Sequence, residues 1–273
     1  MWHQLTLQVA PVPPADGVTP FGPQLVITIG SVAVALLIIG YGLRRWVRAG
    51  SPVLLLLVLG ATVASLQEAP LDIFVSADYP RPGLWVLFET FGRPVPVWAT
   101  FAWMILFAGA PYLLARAMER KSPGQVVWLG ALGFVFVDIA IEVPTHAVPY
   151  YGDHPLSVGG FPLGMGAVNS VTMMGIATAA YLLETRVRGR LRLLAVVVPG
   201  LVLPAVTMTV GLPVFSAVGA GAPAAVRYPA VLLTFALAAL ALHGLARLAQ
   251  AWGPGGRPAN AVAAASQVER VIH

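Results

Sequence analysis

The sequence predicts an all-α membrane protein, a bundle of seven transmembrane helices. Of its 273 residues, 58% are hydrophobic and only 10% are charged, whereas about a quarter of the residues in a soluble domain are charged. Seven apolar stretches are each long enough to supply the roughly 20 helical residues that cross a hydrocarbon core. Clusters of arginine follow every second stretch, which is the charge pattern of a multi-pass protein.

The seven spans form one predicted transmembrane domain, residues 21–250. Residues 1–20 contain no lysine or arginine, and we expect a short translocated tail rather than a signal peptide, which starts with basic residues. Residues 251–273 are rich in glycine, proline and alanine, and we expect a partly disordered cytoplasmic tail. The spans are placed near residues 22–43, 53–74, 95–116, 124–143, 161–183, 193–213 and 226–248.

The basic residues predict the orientation of this bundle. Of the 16 lysines and arginines, all but Arg81, Arg93 and Arg227 follow the odd-numbered spans. By the positive-inside rule the N-terminus is then outside and the C-terminus is cytoplasmic. The net charge of +5 is therefore explained by topology, and no nucleic-acid partner is predicted. The chain has no cysteine, which excludes disulfides, thiolate catalysis and cysteine-ligated metals.

The second and fourth predicted spans end in similar acidic segments. Glu68-Ala-Pro-Leu-Asp72 ends one, and Asp138 with Glu142-Val-Pro ends the other. In each segment the two acids are four residues apart, so they share a helix face. Glu68 and Asp138 lie about 8–10 Å below the outer surface of the hydrocarbon core. We interpret the two spans as a degenerate two-helix repeat, and functional sites often lie where such repeats meet.

These four acids are the candidate catalytic residues, because an ionisable side chain inside a membrane is costly and indicates function. We expect Glu68, Asp72, Asp138 and Glu142 to face one another across a cavity between spans two and four. Clustered carboxyl groups in an apolar pocket cannot all ionise, so one would keep its proton at neutral pH. The simpler alternative is solvation near the interface, or pairing with Arg81 or Arg93, and for Asp72 this alternative is favoured.

A metal site at the same place is the weaker interpretation. Asp138, Glu142 and His146 could present carboxylate and imidazole ligands on one face. Pro144 interrupts the helix before His146, and no second cluster of histidine and aspartate supports the idea. We therefore predict no metal and no cofactor, and we interpret His146 and His154 as loop residues.

Aromatic residues are dense near the four acids. Some belong to the interfacial belt in which tryptophan and tyrosine are enriched, but two tryptophans lie deeper and either line a pocket or face lipid. Aromatic faces stabilise cations, which suits chemistry that passes through carbocations. The candidate substrate-binding residues are therefore these aromatic residues and one asparagine at the depth of the acids: Asn169, Trp98, Trp103, Phe88, Tyr150 and Tyr151.

Several kinds of chemistry lack the residues they need. The only lysine, Lys121, follows the third span, so no intramembrane lysine could hold a retinal Schiff base. The sequence contains no Asp-Asp-x-x-Asp diphosphate motif, no Walker loop and no Gly-x-Ser-x-Gly elbow. Reactions that begin by ionising a diphosphate are therefore disfavoured, and acid-initiated chemistry on a neutral, lipid-like substrate remains open.

The chain resembles the small integral-membrane terpene cyclases. This family comprises fungal meroterpenoid cyclases of the pyripyropene type and actinobacterial enzymes of the drimentine type, which cyclise farnesylated indole compounds. The resemblance runs from span one to span seven and includes the lysine-poor, Ala/Val/Arg-rich composition typical of actinobacteria. Glu68 matches the family's acid near the second span. The fungal enzymes also have an acid late in the chain, where spans six and seven here have none, so Asp138 and Glu142 would have to replace it.

The resemblance implies a protonation-initiated cyclisation of a prenyl, farnesyl-like chain in a bacterial cell membrane. A neutral carboxylic acid would protonate a terminal alkene or epoxide, and the cation would close rings in a dry, aromatic-lined cavity. Glu68 or Glu142 is the expected acid, with Asp138 tuning it and Asn169 orienting it by a hydrogen bond. The expected partners are a lipid-like prenylated small molecule and membrane lipids.

Two other functions use the same residues. A proton-coupled transporter or lipid-binding membrane protein would use the carboxylates as a relay, although the cytoplasmic halves of the spans offer no obvious second polar gate. A structural or assembly protein would use them only for hydrogen bonds between helices. A closed cavity that joins the two acidic spans and opens sideways to lipid favours the cyclase, and a through-channel favours transport. The sequence does not define an oligomeric state.

Overall fold

The computed structural model describes residues 17–145 and 150–252, which are mostly helical. Most of the predicted N-terminal tail, nearly all of the C-terminal tail and His146 lie outside these residues. The helices in chain order are α1 (Phe21–Ala49), α2 (Val53–Ala64), α3 (Glu68–Val75), α4 (Val97–Met104), α5 (Ala110–Met118), α6 (Pro123–Thr145), α7 (Leu163–Thr185), α8 (Val198–Thr209), α9 (Leu212–Gly219) and α10 (Ala224–Trp252).

Among the described residues, six helical segments are long and apolar enough to cross a membrane, and a bent seventh passes the same test. The prediction of a mostly helical, multi-pass membrane protein is confirmed in this form. The bent segment joins a 3₁₀ stretch, Gly189–Val196, to α8 at an angle of 49°. The straight segments are Phe21–Ala49, Val53–Val75, Val97–Met118, Pro123–Val143, Leu163–Thr185 and Ala224–Trp252.

The sixth predicted span, residues 193–213, is therefore broken rather than continuous. Pro199 lies in the first turn of α8 and Pro204 inside it, and Pro213 begins α9 after Gly211. A proline cannot donate a backbone hydrogen bond and its ring crowds the carbonyl four residues earlier, so helices end or bend beside it. Hydropathy alone does not distinguish this segment from a straight span.

Short strands, which the sequence does not predict, lie at one end of the mostly helical bundle. Three antiparallel pairs form there within the described part of the chain, β1 with β4, β2 with β3, and β5 with β6. We call this the strand end, and we call the opposite end, where Arg44–Arg48 and Arg186–Arg192 lie, the arginine end. The strands are β1 (Ala77–Asp78), β2 (Val86–Thr90), β3 (Arg93–Pro96), β4 (Tyr150–Tyr151), β5 (Ser157–Val158) and β6 (Phe161–Pro162).

Two helices change their winding close to the acidic segments. Between α2 and α3, Ser65–Gln67 forms a 3₁₀ turn, and this places Pro70 in the first turn of α3, where its missing N–H costs least. Between α4 and α5, Ile105–Gly109 forms a π-helical turn just before Pro111. Both irregular turns adjoin the cavity described below, as π-helical turns at functional sites often do.

The centre of the bundle is α7, in which 72% of the apolar window is buried, against 17% for α1. Helix α7 packs against α5, α6, α8 and α10. Close approach depends on small residues, as is usual between membrane helices. At Gly60 of α2, an added Cβ would lie 2.1 Å from the backbone oxygen of Val196. Helix α6, which carries Asp138 and Glu142, is among the helices that pack directly against α7.

Candidate functional site

A cavity of about 120 Å³ lies where α3, α4, α6 and α7 meet, beside the β1–β4 pair. Its wall contains three carboxyl groups, Glu68, Asp72 and Glu142, which come from the second and fourth predicted spans. Apolar side chains, including Leu71, Leu106 and Met165, complete much of the surface. The two acidic segments therefore meet at one cavity.

Glu68 is held by two hydrogen-bond donors. It is the first residue of α3, directly after the 3₁₀ turn. The hydroxyl of Tyr79 donates to its Oε1 at 2.8 Å, and the indole Nε1 of Trp103 donates to its Oε2 at 2.5 Å. An indole N–H can only donate, so Oε2 is fixed as an acceptor. Trp103, predicted as a pocket residue, thus lines the cavity and binds the acid directly.

Asp72 lies one turn beyond Glu68 on the same helix face and has quite different surroundings. It is buried, with 7% of its surface exposed, and within the described chain its Oδ2 has no hydrogen-bond partner. The favoured expectation of a solvated or arginine-paired Asp72 does not match this placement. Its two expected partners are engaged elsewhere.

The arginines of the strand end pair with other acids. Arg81 forms two hydrogen bonds of 3.0 Å with the exposed Glu89, and the buried Arg93 forms a close ion pair with Asp78. Asp78 belongs to β1, whose backbone pairs with β4. Neither arginine is among the described residues of the cavity wall, and no other basic side chain is among them.

The acids of α6 occupy two levels. Glu142 lines the cavity and accepts a hydrogen bond from the Tyr151 hydroxyl at 3.1 Å. Asp138, one turn deeper, is buried behind the wall, and its Oδ2 accepts a hydrogen bond from Asn169 Nδ2 at 3.2 Å. Asn169 itself reaches the cavity. Asp138 therefore touches the cavity only through this amide.

Aromatic rings form one side of the site. Trp98 and Trp103 both line the cavity, and they meet Tyr79 and Phe107 edge to face at centroid distances of 5.8 and 5.0 Å. The indole N–H of Trp98 has no partner within the part of the chain that is described. Such edge-on arrangements fix the rings while leaving faces available to a guest molecule.

Two of the predicted substrate-binding residues are placed differently from Trp98 and Trp103. Phe88, in β2, packs behind Trp98 against a small cluster that includes Val95 and does not line the cavity. The backbone of Tyr150 pairs with Asp78, and its side chain lies outside the described residues. Its neighbour Tyr151 does reach the cavity.

The two tyrosines that bind the acids stay neutral. Burial, and after it the nearby carboxyl groups of Glu68 and Asp72, raise the pKa of Tyr79 well above its ordinary value. Burial and the carboxyl of Glu142 do the same to the pKa of Tyr151. Both phenols therefore act as donors at any physiological pH.

Several residues of the site escaped prediction from the sequence. Tyr79 was visible as a tyrosine just after the acidic segment, but nothing local indicated that its hydroxyl turns back to Glu68. Gln24, a lone amide in the first turn of an apolar span, is fully buried and binds the loop beside β2 through Gly83 O (2.9 Å) and Trp85 N (2.7 Å). Thr207 of α8 also lines the cavity.

Within residues 17–145 and 150–252, no three histidine or acidic side chains are grouped so as to hold a metal ion. The metal site considered from the sequence, Asp138, Glu142 and His146, includes His146, which lies outside the described residues. The helix does continue through Thr145, so Pro144 does not end it.

Comparisons with protein-family models, curated proteins and solved structures give no match to this chain.

Proposed function

We propose that this protein is an integral membrane terpene or meroterpenoid cyclase that starts its reaction by protonating a prenyl chain. The observation that supports the proposal best is the meeting of three carboxyl groups and two tryptophans at one cavity between apolar helices. An acid-initiated cyclisation needs a proton donor, a proton acceptor and a dry aromatic surface in the same place. The sequence resemblance noted above is the second support.

In this proposal Asp72 carries the proton. A carboxyl group that accepts hydrogen bonds from two fixed donors, as Glu68 does, is favoured as the carboxylate. A buried carboxyl oxygen without a partner, such as Asp72 Oδ2, is far less costly when the group is neutral. The assignment differs from the one the sequence favoured, Glu68 or Glu142, because hydrogen-bond donors are distributed unevenly among the acids.

The reaction then proceeds without any external reagent. Asp72 transfers its proton to the less substituted carbon of the terminal double bond, or to the oxygen of an epoxide, and a tertiary carbocation forms at the dimethyl-substituted carbon. Successive double bonds attack the cation and close rings. Trp98 and Trp103 face the cation with their π systems, and the fixed negative charge of Glu68 lowers the energy of the cationic transition state.

A second carboxylate ends the sequence by removing a proton from a carbon next to the final cation. Glu142, on the opposite side of the cavity, is the proposed base, with Tyr151 orienting its Oε2. One proton enters and one leaves, so the product has the mass of the substrate. Between turnovers both carboxyl groups exchange with water, so Glu142 loses the proton it has taken and Asp72 regains one, and Asn169 with Asp138 holds the deeper end of the wall.

The size of the cavity limits how the substrate binds. An engineered protein cavity of about 150 Å³ holds a benzene molecule, and sites for drug-sized ligands measure about 300–1,000 Å³. The 120 Å³ available here accommodates the reacting end of a prenyl chain. The remainder extends past the wall, and binding a whole farnesyl chain requires wall side chains to move apart.

The experiment is a product assay with matched carboxamides. The wild-type protein is compared with three variants, Asp72→Asn, Glu68→Gln and Glu142→Gln, in a host that supplies farnesylated indole or phenolic acceptors. Each variant replaces a carboxyl group with the carboxamide of the same size. We expect cyclised isomers of unchanged mass from the wild type. General acid catalysis is worth about 10²–10⁴ in rate, so Asp72→Asn should lower product formation by at least 100-fold.

The exposed Glu89 provides the control, because Glu89→Gln removes a carboxylate at the same end of the bundle that does not line the cavity. Full activity in Asp72→Asn would contradict the assignment of the acid. No conversion by the wild type, together with proton uptake into vesicles that Glu142→Gln abolishes, would contradict the cyclase and support the transporter.

A further inference from the structure

A separate groove runs between α6 and α10 on the lipid-facing side of the bundle. Near the arginine end it encloses about 680 Å³. Gln125 and Trp128 of α6 form one wall, and His243, Arg247 and Gln250 of α10 form the other. The helices approach closely at the end of the groove, where an added Cβ on Gly124 would lie 2.2 Å from the amide nitrogen of Gln250.

The same two helices continue the groove toward the middle of the bundle as an apolar channel of about 220 Å³. Trp128 lines both parts. On α10 the apolar part includes Phe235, Ala239 and Leu242, and these fall on one helical stripe with His243 and Arg247. From Phe235 to Gln250 the stripe is about 22 Å long, at about 1.5 Å per residue.

The polar residues of the groove have no partners within the described chain. Neither His243 nor Arg247 forms a hydrogen bond or ion pair there, and both side chains are exposed. The groove therefore has an unneutralised cation and several hydrogen-bond donors at one end, and apolar walls at the other. Half of a hydrocarbon core is about 15 Å thick, so the stripe spans one leaflet and the headgroup region next to it.

We propose that this groove binds one anionic phospholipid, with its phosphate at Arg247 and an acyl chain along Ala239 and Leu242. Basic pockets between transmembrane helices bind acidic headgroups in this way. Two features favour a lipid as the occupant. The positive charge of Arg247 attracts an anionic headgroup, and the apolar channel that continues from it can hold an acyl chain. A second copy of the chain, packed about a twofold axis through the groove, would instead bring a second unneutralised Arg247 into the same interface.

The test is native mass spectrometry of the full chain in a neutral detergent, with phosphatidylglycerol or phosphatidylcholine carrying identical acyl chains. We expect one phosphatidylglycerol to be retained about fivefold more strongly than phosphatidylcholine, the factor that one arginine contributes beside an anionic lipid surface. Arg247→Gln should abolish this preference. Ala239→Phe, which fills the apolar channel, should reduce retention of both lipids.

Two matched substitutions outside the groove serve as controls. Arg48→Gln removes a charge from the arginine end, and Ala236→Phe adds a ring to an exposed alanine of the same helix. Both should retain lipid like the wild type. Equal retention of the two lipids, or displacement of phosphatidylglycerol by free glycerol phosphate, would overturn the proposal. A dimer that Ala239→Phe dissociates while lipid retention is unchanged would also overturn it and identify the occupant as a second copy.

Discussion

Glu68 and Asp72 lie one helical turn apart on α3, yet their surroundings would assign them opposite tasks. Glu68 accepts hydrogen bonds from Tyr79 and Trp103, whereas Asp72 Oδ2 has no partner in the described chain. Arg93, one of the two arginines expected to pair with Asp72, is ion-paired with Asp78. In the proposed reaction, the uneven distribution of hydrogen-bond donors decides which of two similar acids carries the proton, as in other sites with paired carboxyl groups.

His154 makes stability at the strand end dependent on pH. Its Nε2 lies 2.9 Å from the backbone oxygen of Val75, so that nitrogen carries the hydrogen. Burial, with a smaller effect from Arg227, lowers the pKa of His154 below its ordinary value of about 6.5. Below that pH the unfolded chain binds a proton more readily than the folded one, so stability falls with falling pH until the folded pKa is reached.

We therefore expect the melting temperature in detergent to fall between pH 7 and pH 5.5 by less in His154→Gln than in the wild type. Glutamine retains a donor for the Val75 oxygen but has no titrating ring. The exposed His243 supplies the control, since His243→Gln removes a ring that is not buried. An identical fall in the wild type and His154→Gln would contradict this account of His154.

Among the secondary-structure elements, the broken ones surround the cavity. The 3₁₀ turn Ser65–Gln67 precedes the helix that carries Glu68, and the π-helical turn Ile105–Gly109 follows the helix that carries Trp98 and Trp103. Each irregular turn changes the helical register, and with it the direction of the side chains that follow. The straight helix α7 supplies the fixed surface against which these broken spans pack.

Packing of α2 against the 3₁₀ stretch Gly189–Val196 depends on Gly60. Because a Cβ there would lie 2.1 Å from Val196 O, Gly60→Ala must push a backbone segment away, and overpacking of this kind costs about 1–3 kcal/mol. Gly133 of α6 has nothing within 4 Å of the added atom, so Gly133→Ala should stabilise its helix by about 0.5–1 kcal/mol. Thermal unfolding in detergent distinguishes them, and equal effects would contradict the packing argument.

Across the whole molecule, the two candidate sites lie at opposite ends of the bundle. The cavity lies at the first, and the proposed lipid groove lies near the second. If the positive-inside rule holds, the cavity opens in the outer half of the membrane. The natural absence of cysteine makes this orientation easy to measure.

Single cysteines at exposed positions of the two ends should react differently in intact cells. A membrane-impermeant thiol reagent should label Glu89→Cys at the strand end, and it should label Arg188→Cys only after the membrane is permeabilised. The cysteine-free wild type is the background control. Labelling of Arg188→Cys alone in intact cells would reverse the proposed orientation.

Much of the helical architecture could be predicted because a membrane span depends on local hydropathy. The second predicted span, 53–74, ends one residue from the segment Val53–Val75, and the fourth, 124–143, differs by one residue at its start. Helical periodicity likewise predicted that Glu68 and Asp72 share a face, and both line one cavity. These features follow from residues close together in the chain.

The rest depends on contacts between distant parts of the chain. The β1–β4 pair joins Ala77–Asp78 to Tyr150–Tyr151 through backbone groups, which leave little trace in a sequence. The ion pair of Arg93 with Asp78 is one that several acids could have competed for, and the bend before α8 depends on which of several prolines breaks the helix. Hydropathy carries no information about these choices.

The origin of the new hydrogen in the product tests the cyclase proposal most directly. The wild-type protein, in membranes suspended in D₂O, would be supplied with a farnesylated acceptor, and the product would be analysed by mass spectrometry and NMR. If a carboxyl group protonates the terminal alkene of this substrate, its exchanged deuteron becomes bound to carbon, and the cyclised product carries one deuterium at the site of protonation. A cyclised product without deuterium would contradict protonation as the first step.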